Sequence, residues 1–418
     1  MRRSRYAVGL VFLTFFVISF LTNIIGPLVP EIIDDFALSL TLVGVLPFAF
    51  FIAYGVMSVP AGLLIERFQE KPVMIAAFAV AFAGSSLLAV FPNYLTAIGS
   101  LFLIGSGMAM LQVAINPLLR EAGGEEHYAF NATVAQLVFG AASFLSPLVY
   151  SYLVLRLQQP SAHPNVLIAT LARVVPEDLP WVSLYWLFAA IALVMIGVVA
   201  ASRIPRVART AQEQVGAFQT HLELLRTPKV LLFFLGIFTY VGLEQGIATW
   251  MSAFLHVYHG YDPQTTGATA VSWFWGLMTI GGIAGIVLLK LLDSRIVLVA
   301  FTAAAIASFT AALFLPGPAA RIAFPLVGFF AAVMYPVIFS LALNSVAEHH
   351  GSLSGILVSA IIGGAVLPLI VGGLGDIFGL RSGMLFLYLT MGYILSIGLW
   401  AKPLITNETI ALGKQAEA

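Results

Sequence analysis

The chain has 418 residues, of which 60% are hydrophobic and 9% charged, with 19 basic and 19 acidic side chains and no cysteine. Soluble domains carry about 25% charged residues, so this chain is too poor in charge to cover a water-facing surface, and its zero net charge offers no basic footprint for nucleic acid. The lack of cysteine excludes a disulfide framework and a thiolate metal site, and no phosphate-cradling glycine loop follows a strand pattern, so neither metal nor cofactor is expected.

A helix that crosses the hydrocarbon core needs about 20 mostly apolar residues. Such runs fall at 7–30, 40–64, 73–92, 95–118, 128–155, 179–202, 230–256, 266–291, 295–316, 320–347, 352–374 and 383–401, twelve in all. The sequence therefore predicts an all-α membrane protein. The first run follows Arg2, Arg3 and Arg5 in the manner of a signal peptide, but it is of span length and reaches Pro27 and Pro30 without a small-residue cleavage site, so it is read as a retained helix. With the amino terminus placed inside, 15 of the 19 Lys and Arg fall in inner segments and four (Arg156, Arg173, Arg321, Arg381) in outer ones. That bias is the one expected of a correct topology. It predicts a multi-pass protein of a bacterial-type inner membrane with both termini cytoplasmic.

The longest polar stretch, 203–229, carries Arg203, Arg206, Arg209, Glu213, Gln214 and Glu223 and separates six spans from six. The expected organisation is an N-terminal six-helix bundle (1–202), a cytoplasmic linker (203–229), a C-terminal six-helix bundle (230–402) and a cytoplasmic tail (403–418). Echoes join the halves: Asn116-Pro117 in span four and Tyr335-Pro336 in span ten, then Gly140 and Pro147 in span five and Gly363-Gly364 and Pro368 in span eleven. Prolines in spans suit helices bent around a cavity, where neighbours or water satisfy the freed carbonyl. They are also ordinary in membrane helices.

Ionisable groups at membrane depth are costly and mark functional candidates. Of the acids, Glu31, Asp34 and Asp35 are placed just past span one, Asp376 in an outer loop, and only Glu244 inside a span. Glu244 sits in Tyr240-Val241-Gly242-Leu243-Glu244-Gln245-Gly246, one turn from Tyr240 on the same face. It is either a substrate or cation group or a carboxyl that hydrogen-bonds a neighbouring helix. Neutral amides form a second set: Asn23, Gln112, Asn116, Asn131, Gln136, Gln245 and Asn344. Amides both donate and accept and so suit a hydroxyl-rich solute, although each can equally join helices; Asn131 and Asn344, near cytoplasmic ends, are also placed to cap. Trp273 and Trp275 in span eight are candidates to stack on a sugar ring or to sit in the interfacial aromatic belt. His256, His259, His349 and His350 lie near span ends, and no catalytic constellation sits at membrane depth, so an enzyme is not expected. The segment Gly62 to Lys71 between spans two and three gives Glu66, Arg67 and Lys71 as gating candidates, or as charges that only set topology.

Gly62 to Lys71 resembles the loop 2–3 signature of the major facilitator superfamily, with Glu66 in the usual aspartate position and Lys71 in the basic cluster. Gln112-Val-Ala-Ile-Asn116-Pro117, Tyr240-Val-Gly-Leu-Glu244, Ser272-Trp-Phe-Trp275-Gly276, Tyr335-Pro336-Val-Ile-Phe339-Ser340, Gly363-Gly364, Pro368 and Gly375-Asp376 together resemble the fucose/galactose/hexose permease branch over nearly the whole chain. The resemblance implies two pseudo-repeats of six helices, a sugar substrate and alternating access. It also implies that two proton-carrying positions have changed. Gly26 and Gln112 stand where proton-coupled members carry an aspartate and a glutamate, and Gly282 stands where the span-eight arginine falls.

The expected function is thus a secondary transporter, monomeric, moving a monosaccharide or similar small polar solute across the bilayer, with a proton or sodium ion coupled through Glu244 or no coupling at all. Rival expectations are an exporter of amphipathic compounds and a membrane sensor or lipid-handling protein.

Overall fold

The computed structural model describes residues 5–124, 128–159, 165–204, 224, 226–345 and 350–402, and the side chain of Glu66 lies outside what it describes. The linker residues Arg206, Arg209, Glu213 and Glu223, the inner-loop Glu348 and His349 and the tail 403–418 also fall outside the described residues. What remains is helical, as apolar segments in lipid must be, because a helix satisfies every backbone donor and acceptor within itself. Twelve helices are long and apolar enough to span a bilayer: α1 (Arg5–Phe36), α2 (Leu40–Phe68), α3 (Glu70–Val90), α4 (Tyr94–Gly123), α5 (Tyr128–Gln158), α6 (Pro180–Ala201), α7 (Pro228–His259), α8 (Pro263–Leu291), α9 (Ser294–Phe314), α10 (Gly317–Leu343), α11 (Leu353–Phe378) and α12 (Leu380–Trp400).

The pairing of these helices repeats. In the first six, α2 and α3 pack on α4, α3 packs on α6 and α1 packs on α5; in the last six, α8 and α10, α9 and α10, α9 and α12, and α7 and α11 make the matching pairs. This is a two-repeat bundle of six helices each. The halves meet along α2 with α11, α5 with α8, and the outer part of α1 with α7. Consecutive helices alternate in direction, so Arg5 and Trp400 share one face, called here the terminal face, and the opposite face is distal.

Proline shapes two of the helices. The first is interrupted between Thr22 and Ile25, four residues before Pro27, and the tenth between Ala331 and Met334, four before Pro336. A proline lacks the amide that would bond the carbonyl four residues back, and its ring crowds that carbonyl. Pro117 and Pro147 leave α4 and α5 as single assigned helices.

Three expectations change. Helix α1 runs to Phe36 and ends on a left-handed Ala37 (φ 49°), so Glu31, Asp34 and Asp35 belong to it rather than lying just past its end. Asp376 lies in the last turn of α11. Gly62 to Phe68 is the end of α2, and the reversal into α3 is made by Gln69 alone. In each case backbone hydrogen bonding continues past the point where hydropathy falls, because helix ends reach beyond the hydrocarbon into the polar interface.

Candidate functional site

The helix interruption in α1 opens a small cavity between the halves. Thr22, Asn23 and Gly26 line it from α1, Gln245, Ala248 and Thr249 from α7, and Val271 and Trp275 from α8. Its space for a water-sized centre is about 10 Å³, enough for one ordered water. Three residues expected at the site from sequence, Asn23, Gln245 and Trp275, thus come together. Thr249 was missed, although it lies one turn beyond Gln245 on the same face.

Their polar atoms are committed to different degrees. Asn23 Nδ2 donates to Ser143 Oγ at 2.8 Å, and Ser143 also pairs with Ser19 at 2.6 Å, so Asn23 ties α1 to α5 while lining the cavity. Trp275 is 5% exposed, and its indole N–H is buried without a hydrogen-bond partner. Beside the cavity, Glu244 is held within its own helix: Tyr240 donates to Oε2 at 2.6 Å and Gln245 Nε2 to Oε1 at 3.0 Å. The Tyr335 ring of α10 sits 5.8 Å from that of Tyr240. A carboxylate has about four acceptor sites, so both oxygens retain capacity for a further donor or a cation.

The remaining candidates are spread along the halves and do not line this cavity. Asn116 is exposed on α4, with its Nδ2 turned back to the Gln112 carbonyl at 3.0 Å, and Gln112 is half-buried one turn earlier. Gln136 is exposed on α5, and Asn131 of α5 lies against Gly123 of α4. Asn344 follows the last turn of α10 and donates its backbone N–H to the Ser340 carbonyl at 2.9 Å. Trp273 is 46% exposed and packs edge-on against Phe144 across the seam, with ring centroids 5.2 Å apart.

At the terminal face, basic side chains tie helix ends together inside each half. Lys71 Nζ, at the start of α3, donates to the Ala200 and Ser202 carbonyls at the end of α6, at 2.7 and 2.8 Å. In the other half Arg295, at the start of α9, reaches the Ala401 carbonyl beyond α12 at 3.5 Å, and Lys229 donates to Ser345 and Lys402 carbonyls at 3.0 and 3.3 Å. Cations suit helix C-termini because the last carbonyls there lack intrahelical donors. Arg67 lies over the ring of its neighbour Phe68 at 5.2 Å. Asp293, in the turn before α9, is held below the usual carboxylate range: burial opposes its charged form, but bonds from the Arg295 side chain and backbone outweigh that.

The hydrogen bonds that join the halves lie at the distal face or at mid-depth. Asp376 of α11 accepts from the backbone N–H groups of Leu40 and Thr41 at 2.8 Å each. Gln264, at the start of α8, donates to Glu31 of α1 at 2.6 Å. Ser272 of α8 donates to the Phe144 carbonyl of α5 at 2.5 Å. Gly26 packs so closely on the Ala248 carbonyl of α7 that a Cβ at this position would collide with it. The seam is closed on its distal side.

The family model for the Major Facilitator Superfamily matches residues 11–361. The chain belongs to the major facilitator superfamily. Within it, a glucose/galactose transporter of Brucella abortus is 30% identical over 412 residues, covering 95% of each chain. An L-fucose-proton symporter of Escherichia coli is 26% identical over 388 residues, covering 87% of this chain and 86% of that one. Among solved structures, FucP in its outward conformation superposes with a TM-score of 0.66 at 22% identity, covering 96% of this chain and all of that one. A bacterial homologue of the lysosomal transporter Spinster, inward-facing and occupied, gives 0.78 at 14% identity, covering 95% of this chain and 96% of that one. The twelve-helix superfamily fold, with its two six-helix repeats, is thereby established for this chain.

Proposed function

We propose that this superfamily member is a secondary transporter that moves a monosaccharide, or a similar small polyol, across the plasma membrane by alternating access, as a monomer with both termini in the cytoplasm. The observation that carries the reading is the set of neutral polar groups at the seam, an indole N–H with no partner among the described residues, two amides and two threonines drawn from both halves, around a cavity that has room for one water in this structure and must widen to admit a sugar. Such neutral donors and acceptors suit hydroxyl groups rather than an ion. Relatives described as glucose/galactose transporters and a fucose-proton symporter support the sugar class. With the terminal face cytoplasmic, the closed distal seam corresponds to the inward-facing end of the cycle. Gln112, Asn116, Asn131, Gln136, Trp273 and Asn344 then belong to the wider solute path, and Glu244 is the carboxyl through which a proton or sodium ion would couple.

The deciding experiment is counterflow in proteoliposomes with radiolabelled glucose, galactose and fucose. Exchange of at least one hexose, competed by unlabelled sugar, is expected; failure to exchange any of the three would exclude the reading. Imposed proton and sodium gradients then separate coupling from passive exchange. Coupling through Glu244 requires uphill accumulation by the wild type and only downhill exchange by Glu244→Gln.

A further inference from the structure

The carboxyl of Glu244, near the middle of α7, has donors around it but no counter-charge. Tyr240 donates to one oxygen at 2.6 Å and Gln245 to the other at 3.0 Å, the pattern of an ionised carboxylate, which accepts at both oxygens. None of the described Lys, Arg or His side chains pairs with it. The nearest basic residues on its own helix, Lys229 and His256, are about 22 and 18 Å away along the axis at 1.5 Å per residue. Those of the neighbouring spans, Lys290, Arg295, Arg321 and Arg381, lie in the first or last turns of their helices. An ionised carboxylate at membrane depth is costly unless a cation joins it.

The surroundings indicate what that cation is. Aromatic rings flank the carboxylate: the Tyr335 ring is 5.8 Å from that of Tyr240 and stacks on Phe339, also at 5.8 Å. Such faces attract an ammonium. Helix α7, in contrast, is unbroken from Pro228 to His259, so around Glu244 it frees no backbone carbonyl of the kind that coordinates sodium where membrane helices unwind. The carboxylate also adjoins the solute cavity. Gln245, whose amide nitrogen bonds Glu244, lines that cavity together with Thr249, and Glu244 itself is half-buried rather than sealed. Groups that suit hydroxyls and an anion without a partner cation are thus one amide apart.

We infer that the solute carries an ammonium group beside its hydroxyls: the site takes an amino sugar, with Glu244 as counter-ion to the amine and Thr22, Asn23, Gln245 and Thr249 as partners of the hydroxyls. The inference rests on the sugar reading, and the solute's own charge then fills the place that a coupling ion would otherwise take.

Thermal stabilisation of the detergent-purified protein, titrated with each sugar at mildly acidic pH where the amines are protonated, gives affinities without transport. Glucose, glucosamine and N-acetylglucosamine, and the matching galactose series, present one ring with a hydroxyl, an ammonium or a neutral amide at a single position; 6-amino-6-deoxyglucose moves the ammonium to another. At least one amino sugar is expected to bind about tenfold or more tightly than its parent hexose, the gain of a charge-assisted over a neutral hydrogen bond. The neutral N-acetyl sugars should lack that gain. These comparisons need only the wild type; in Glu244→Gln, amino sugar and parent hexose should bind alike. Parent hexoses that bind as tightly as all their amino analogues would overturn the inference and leave the sugar reading standing, as would a preference for the amine that survives in Glu244→Gln. Stabilisation by sodium with no preference for an amine would assign the carboxylate to a coupling ion instead. Should no sugar of either kind bind, both readings fall.

Discussion

Asp376 of α11 bonds the backbone N–H of Thr41 across the seam, closing the first turn of a helix from the other half. Its two oxygens accept from Leu40 and Thr41 at 2.8 Å each, and Thr41 Oγ1 adds a third donor at 2.5 Å. A carboxylate at a helix N-terminus meets amides that lack intrahelical partners and the positive end of the dipole. Parting of the halves at the distal face would break these bonds. Asp376→Asn keeps one acceptor and loses the charge, which at this exposed position should cost about 1 kcal/mol, or roughly a fivefold shift toward the distally open state. Distance measurements across the distal face test this, and an unchanged distribution would show that Asp376 does not hold the seam.

Gly26 gives a steeper test of the same closure. The Ala248 carbonyl fills the space that a Cβ on residue 26 would occupy, so the two backbones approach as only a small residue permits. Gly26→Ala should disfavour the closed state by about 1–3 kcal/mol, the usual cost of overpacking. The expected outcome is a mostly open distal seam and slowed exchange in proteoliposomes. Exchange at the wild-type rate would mean that the helices part easily here.

Much of this architecture is legible in sequence because the bilayer enforces it. Twelve apolar runs, the lysine and arginine asymmetry and the break between the halves all follow from the cost of polar groups in hydrocarbon. Hydropathy fails at Glu31, which falls just past the first apolar run, and at Asp376, which looks like a loop acid, yet both sit on helices whose backbone bonding continues into the interface. It is also silent on partners. Nothing in a single chain relates Glu31 to Gln264 or Leu40 to Asp376, separated by 233 and 336 residues, because those contacts are set by how two independently packed bundles meet. Asn23, Gln245 and Trp275 were found as polar or aromatic residues at membrane depth, whereas Gly26 offered no chemistry to notice beyond its departure from the family pattern.

Gln69 makes the one-residue reversal between α2 and α3 with φ 67° and ψ 174°, a region that is essentially glycine's and costs other residues about 1–3 kcal/mol. Gln69→Gly should therefore raise stability by about 1 kcal/mol after the added freedom of the unfolded glycine is deducted. Thermal unfolding in detergent checks it. A lower melting temperature for the glycine variant would mean that the turn relaxes and the strain is absent.

Lys71 separates packing from gating. Its ammonium bonds two carbonyls at the end of α6 within one half, in the manner of Arg295 in the other half. Lys71→Ala is expected to lower thermal stability by about 1 kcal/mol, Lys71→Arg to restore most of it, and neither to move the distal distance distribution. A gating role would appear instead as a shifted distribution at unchanged stability.

Trp275 carries the most specific statement about the solute. Its indole N–H is buried at the cavity wall and makes no hydrogen bond among the described residues, which leaves it for the one water the cavity can hold or for a solute hydroxyl. Trp275→Phe keeps an aromatic ring and deletes that donor. If a solute hydroxyl accepts from the indole, the variant should be as stable as the wild type or slightly more so without solute. It should also bind the transported sugar about 5- to 150-fold more weakly, the equivalent of roughly 1–3 kcal/mol for a lost buried hydrogen bond. The two effects have opposite signs, which general damage to packing cannot produce. Measuring sugar affinity and melting temperature on the same preparation decides it: wild-type affinity in the phenylalanine variant would place the solute away from the indole, and a loss of both stability and affinity would make Trp275 a packing residue.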